Sequence, residues 1–349
     1  MRWSGQSANT DDGGLPGLDR AGLVRTVQTP EFAGITFHEV LARSALNKLP
    51  DGGPMPFRYT VNTMRGCSHA CRYCFARTSH EYLDLNAGLD FDSQLVVKLN
   101  VAAVLRKELR RRSWQRETVA LGTNTDPYQR AEGRYRLMPG VITALAESGT
   151  PLSILTKGTL LRRDIPLLRT ARGVIDIDVG VSLAMLDDDL RKQLDPGAPP
   201  PRARLELITA LAEAGFRPHV MVAPVVPYLS DDTAALDALL GALAEAGAER
   251  ITAFPLHLRG ATAGIFMEWL GEHHPALVRR YRSLYSRSGY VRPEYSARLR
   301  EKLAPLVARH GLGRPDAEVT APTRATPSLA TPSPTVAAAP SPEPALTLF

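Results

Sequence analysis

Met64-Arg-Gly-Cys-Ser-His-Ala-Cys-Arg-Tyr-Cys-Phe-Ala-Arg77 packs three cysteines, Cys67, Cys71 and Cys74, into one short run of the chain. They are the only cysteines among 349 residues, so thiol chemistry happens here or nowhere. The spacing Cys-x3-Cys-x2-Cys lets three thiolates wrap one metal centre, and thiolates hold iron–sulfur clusters. A closed structural cluster takes four protein thiolates. With three, one iron is left open to a small molecule, which is what a catalytic centre needs.

Two other uses of the triplet are weighed. With His69 or His80 it could form a Cys3His zinc site, since zinc accepts short ligand spacings. Zinc ligands usually fall into two pairs separated by a long loop, and no second pair exists here. A disulfide is disfavoured by the odd number of cysteines and by an N-terminus without secretory character.

Hydrophobic residues make up 44% and charged residues 22%, values of an ordinary globular protein rather than a disordered one. No apolar run approaches the roughly 20 residues of a membrane span, so a cytoplasmic protein with no membrane attachment is expected. A reducing cytosol would also protect an oxygen-sensitive cluster. Residues 1–31 are polar and Gly-rich and read as a flexible lead-in. Residues 313–349 read as a disordered tail, dominated by Pro, Ala and Thr, with Arg324 and Glu343 its last two charges. The core is expected over 32–312.

Within that core, strand-like and helix-like stretches alternate. Strands are expected at Tyr59–Met64, Thr118–Leu121, Leu152–Thr156, Ile175–Leu183, His219–Val225 and Arg250–Pro255. Helices are expected at Gln94–Arg112, Val141–Glu147, Arg163–Leu168, Arg202–Ala214 and Thr233–Ala246, with further helix to about His310. Six βα units imply an α/β fold with parallel strands inside and helices outside. In Ile175-Asp-Ile-Asp-Val-Gly-Val-Ser-Leu183 the apolar residues alternate with Asp176, Asp178, Gly180 and Ser182. Fully buried parallel strands read as continuous apolar runs, so this alternation points one face into a polar cavity.

In α/β barrels the chemistry gathers at the C-terminal strand ends. Four such ends carry polar or unusual residues: Gly122-Thr-Asn-Thr-Asp-Pro-Tyr-Gln129, Thr156-Lys-Gly158, Ser182, and Val222-Ala-Pro-Val-Val-Pro227. Each alone is more often a turn or a capped backbone than a site.

The cysteine motif resembles that of the radical S-adenosylmethionine (SAM) enzymes. The resemblance implies a partial six-unit (βα)6 TIM-like barrel with a helical C-terminal extension and disordered termini. It implies a 4Fe–4S cluster on Cys67, Cys71 and Cys74, with SAM on the open iron. It also implies an external one-electron donor of the flavodoxin or ferredoxin type. Reductive cleavage of SAM would give methionine and a 5′-deoxyadenosyl radical.

A closer likeness is to the branch of spore photoproduct lyase and the DNA repair photolyase-like proteins, in an actinobacterial-type subgroup. It rests on the motif above with Asn62, on 122–129, on Thr156-Lys-Gly158 and on Ala223-Pro224. By this resemblance the SAM contacts are Tyr73, Asn124, Lys157, Ser182 and Ala223. One departure matters: spore photoproduct lyase returns a hydrogen atom from a further cysteine, and this chain reads Ala120-Leu-Gly-Thr123 in the comparable region. Tyr128, just past that strand, is the expected replacement donor.

DNA is a candidate partner. The formal charge is +6, and Arg106, Lys107, Arg110, Arg111, Arg112 and Arg116 form a basic cluster that could neutralise phosphates. A solvated helix end reads the same way. Three functions therefore stay open: lyase-type radical chemistry on a nucleic acid base, radical modification of a peptide, protein or metabolite, and a metal-stabilised interaction protein with a partner-binding tail.

Overall fold

The computed structural model describes residues 22–50 and 55–313. Both expected disordered ends lie wholly or largely outside those residues. Eleven strands form two sheets: β1 Leu23–Gln28, β2 Thr36–Val40, β3 Leu46–Lys48, β4 Tyr59–Val61, β5 Met64–Arg65, β6 Gln94–Lys98, β7 Val119–Leu121, β8 Leu152–Thr156, β9 Ile177–Ser182, β10 His219–Val225 and β11 Arg250–Pro255.

The larger sheet runs β11-β10-β9-β8-β7-β4-β3. Its six strands from β4 to β11 pair in parallel, each with the next in that order, and β3 closes one edge antiparallel to β4. This is the expected partial barrel. Helices between the strands, among them Val101–Leu109, Met138–Glu147, Pro201–Glu213 and Thr233–Glu245, cover its outer face. Leu105, Val141, Leu152, Ile154, Val179, Val181, Leu207, Val220, Val222, Leu239 and Ile251 pack there into one buried core. Burial of this apolar surface is the main favourable term in the fold.

The inner face is different. Ser153 Oγ donates to Asp178 (3.3 Å), Arg250 donates to Asp178 (2.8 Å), and His219 Nε2 meets Thr252 Oγ1 at 3.0 Å. These residues are only half-buried or exposed, so the lumen is polar and open, as the alternation in 175–183 implies. Helices Ala261–His273, Pro275–Leu284 and Pro293–His310 complete the C-terminal extension.

The smaller sheet, β1-β2-β6-β5, corrects two expectations. Leu23–Gln28 was expected in the flexible lead-in but pairs antiparallel with β2. Gln94–Lys98 was expected to begin a helix but pairs in parallel with β2 and antiparallel with β5. Its Leu-Val-Val run is buried on both sides, and β-branched residues are stiff in a helix and pack well on a pleated surface. The helix starts only at Val101. Tyr59–Met64, expected as one strand, is split between the two sheets at Asn62 and Thr63.

Candidate active site

β5 ends one residue before the cysteine loop, so the small sheet holds that loop from below. Cys67 N–H donates to Phe91 O (3.0 Å), and His80 Nε2 bonds Gln94 O (2.9 Å). From the barrel side, Gln129 bonds both Ser68 N–H (2.8 Å) and Gly66 O (3.1 Å), and Thr125 donates to Gly66 O. Buried Arg77 donates to Cys71 O (2.8 Å) and grips Asp92 with both carboxylate oxygens at 2.9 Å.

A third support comes from residues 193–198. Arg72 N–H donates to Leu194 O (2.9 Å), Arg72 Nε to Gln193 O (2.9 Å), and Gly197 N–H to His69 O (3.1 Å). A Cβ at Gly197 would sit 1.9 Å from Ser68 O, so only glycine permits this approach. Thr262 closes the loop's far end by donating to Cys74 O (2.9 Å).

Cys67 and Cys71 are buried and Cys74 is half-buried, all as free thiols. Burial pushes each thiol above its ordinary range. The backbone N–H groups of His69 and Asp126 point at the Cys67 sulfur, and that of Ala76 at Cys74. The two histidines the zinc reading would use are engaged elsewhere: His69 Nδ1 faces Asp126 at 3.4 Å and His80 bonds Gln94 O.

Beside the thiols, at the end of β8, stands Lys157. Its ammonium reaches Tyr73 Oη (3.0 Å), Ser182 Oγ (3.4 Å) and Asp195 Oδ2 (3.3 Å). Burial works against its charge, yet the Asp195 carboxylate outweighs burial and raises its pKa. Burial likewise opposes the charge on Asp195, but Lys157 and Arg204 hold its carboxyl below the usual range. Asp126 ties strand end to cysteine loop: it accepts from Thr156 Oγ1 (2.5 Å) and Lys157 N–H (2.7 Å) while facing His69. A Cβ at Gly158 would lie 2.0 Å from Tyr128 O, so the β8 end must be glycine to pack on the β7 loop.

Of the sequence-chosen residues, Cys67, Cys71, Cys74, Tyr73, Lys157 and Ser182 come together. Asn124 lies exposed at the end of β7, its N–H held by Asn62 Oδ1 (3.1 Å). Ala223 is buried in β10, where the ladder to β11 is interrupted between Val222 and Val225.

Tyr128 is not brought to this group. Its ring packs in the outer core, and its hydroxyl lies beside Asp164 and Glu132, whose charges with burial push its pKa well up. Nor does the basic cluster face the site. Arg110, Arg111, Arg112 and Arg116 precede β7 and so sit at the opposite end of the barrel from the cysteine loop, with Arg106 paired to Glu147.

Two residues at the centre of the site escaped the sequence reading, Asp195 and Arg204. Both read as ordinary surface residues, one in a Pro-Gly turn and one on a helix. Arg204 donates to Ser182 O (3.0 Å) and Pro199 O (2.9 Å) from a fully buried position.

Comparison with known proteins agrees with this arrangement. An uncharacterised protein of Mycobacterium tuberculosis is 63% identical over 317 residues, covering 89% of this chain and 93% of its own. An uncharacterised protein of Methanocaldococcus jannaschii is 26% identical over 174 residues, covering 50% of this chain and 62% of its own. Among solved structures, a spore photoproduct lyase variant with bound AdoMet and dinucleoside spore photoproduct shares the fold. Its TM-score is 0.58 at 15% identity, over 78% of this chain and 79% of that one. The family model of the Radical SAM superfamily matches residues 61–240, from β4 through the helix after β10, and the chain belongs to that superfamily.

Proposed function

We propose that the protein is a radical SAM enzyme that carries a 4Fe–4S cluster on Cys67, Cys71 and Cys74 and acts on a nucleic acid base. The observation that carries the reading is the meeting of three buried thiols with Lys157, Tyr73 and Ser182 at one end of the barrel. The donor set fits the cluster. Backbone N–H groups aimed at Cys67 and Cys74 are what thiolate ligands require, and such contacts tune a cluster's potential. When bound, the cluster and SAM supply one-electron cleavage to methionine and a 5′-deoxyadenosyl radical.

The chain's own residues bind, orient and exclude water. Lys157 offers a charge to the carboxylate of SAM, Ser182 and Tyr73 offer hydroxyls beside it, and Ala223 and Asn124 lie at strand ends suited to the adenosine part. The cluster draws its electron from an external flavodoxin- or ferredoxin-type protein in the cytoplasm.

A base as substrate is supported by the end of β11. Phe254 stacks on His257 (centroids 5.5 Å apart, 24° between planes), His257 packs edge-on to Tyr290 (4.7 Å), and Arg259 lies over Tyr290. Gly260, next along, abuts Thr78 just beyond Cys74. Burial lowers the pKa of His257, so its ring is neutral at pH 7. Half-buried aromatic faces beside an arginine suit a planar base.

The test is anaerobic reconstitution followed by reduction in the presence of SAM and lesion-bearing oligonucleotides. About four irons per chain, 5′-deoxyadenosine and an altered base by mass spectrometry are expected. Stoichiometric zinc would overturn the cluster. Deoxyadenosine without any base product would redirect the search to peptides or metabolites.

A further inference from the structure

Asp195 and Arg204 are both more than nine-tenths buried, and each keeps one polar atom without a partner. Asp195 Oδ2 holds Lys157, but Oδ1 bonds nothing. Arg204 uses Nε and Nη1 on Pro199 O and Ser182 O, while Nη2 bonds nothing. The two side chains feel each other's charge without forming an ion pair. A buried polar atom left unbonded is costly, and a pocket that retains an orphan acceptor and an orphan donor is built for a ligand carrying the opposite pair. The charges agree: Lys157 and Arg204 against Asp195 leave one net buried positive charge.

We propose that Asp195 Oδ1 and Arg204 Nη2 recognise the α-amino-acid end of SAM, Asp195 accepting from its amino group and Arg204 donating to its carboxylate. This rests on the reading of the site as a SAM pocket. It assigns the two halves of the aminoacyl group to two residues of the 195–204 segment, which also clamps the cysteine loop through Gly197. Ligand binding and loop order are thereby coupled through one stretch of chain.

Three probes separate the parts: SAM, decarboxylated SAM, which keeps the amino group, and 5′-methylthioadenosine, which lacks both. Affinities are measured by anaerobic titration of cluster-loaded wild type, Asp195→Asn and Arg204→Gln, with iron content and visible absorbance as checks of folding. Asp195→Asn should weaken SAM and decarboxylated SAM by about tenfold to a hundredfold, the weight of one charge-assisted contact, and leave 5′-methylthioadenosine unchanged. Arg204→Gln should weaken SAM alone. If either variant weakens 5′-methylthioadenosine equally, the residue only supports the fold and the assignment fails. If wild type binds SAM and both variants bind it as tightly, the assignment also fails while the SAM reading stands. No binding of SAM by loaded wild type would remove both.

Discussion

Two buried lysines, one in each sheet, respond to burial in opposite ways. Lys98 ends β6 in the small sheet, and Lys157 ends β8 in the barrel. Burial pushes Lys98 down to about 8, with Arg65 pushing the same way. Glu108 pulls it back only partly, because its carboxylate is already occupied by the N–H groups of Ala45 and Leu46. Lys157 suffers the same desolvation but is raised, because Asp195 stands 3.3 Å away. Burial alone does not set a lysine's charge; an uncommitted carboxylate does. The molecule keeps such a carboxylate where a ligand is to be bound and omits it where the lysine is structural.

The comparison can be broken most completely by removing the thiols that surround Lys157. Replacing Cys67, Cys71 or Cys74 by Ala should abolish iron binding and deoxyadenosine formation together, read by iron assay and mass spectrometry. Next in size is Lys157→Ala, which leaves Asp195 as a buried charge with only Arg204 near it. Unfolding by denaturant should show a loss of about 3 kcal/mol or more, and SAM should bind more weakly. If stability and SAM affinity both stay at wild-type levels, the pair is not what holds this end of the barrel.

Lys98→Met should move stability the other way. With a folded pKa near 8 and an unfolded value near 10.4, the unfolded chain binds more protons between those limits, so wild-type stability should rise with pH there. Lys98→Met should erase that rise and add on the order of 2–3 kcal/mol at pH 7. A flat wild-type profile from pH 8 to 10 would contradict the shift. The smallest effect belongs to the lumen's other end. Arg250 and Asp178 are each 44% exposed, against 13% and 4% for Lys157 and Asp195. Arg250→Ala should cost less than about 1 kcal/mol, as exposed pairs do, and leave SAM binding unchanged.

What the sequence made legible follows from range. The cysteine triplet and the six parallel strands are local signals, and Leu152–Thr156, His219–Val225 and Arg250–Pro255 fall where periodicity puts them. Gln94–Lys98 went wrong because its register is decided by β2, more than fifty residues earlier. Tyr128 was misjudged because nearness to a strand end does not say which face a side chain takes. Its neighbours Gly158 and Asp164 turn it outward to the core. Asp195 and Arg204 left no local mark at all. Only the packing of the 193–204 segment onto the cysteine loop, across some 120 residues, reveals them.

That packing also bears on timing during synthesis. Cys74 is anchored by Thr262, which is 188 residues downstream, and Arg72 by Gln193, 121 residues downstream. As the chain leaves the ribosome, the three thiols emerge long before their clamps, and contacts so distant in sequence form late. The nascent thiols therefore pass through a long interval in which they are flexible and accessible. Metal delivery belongs to the finished chain, and the clasp that shields the centre is the last part of it to be written.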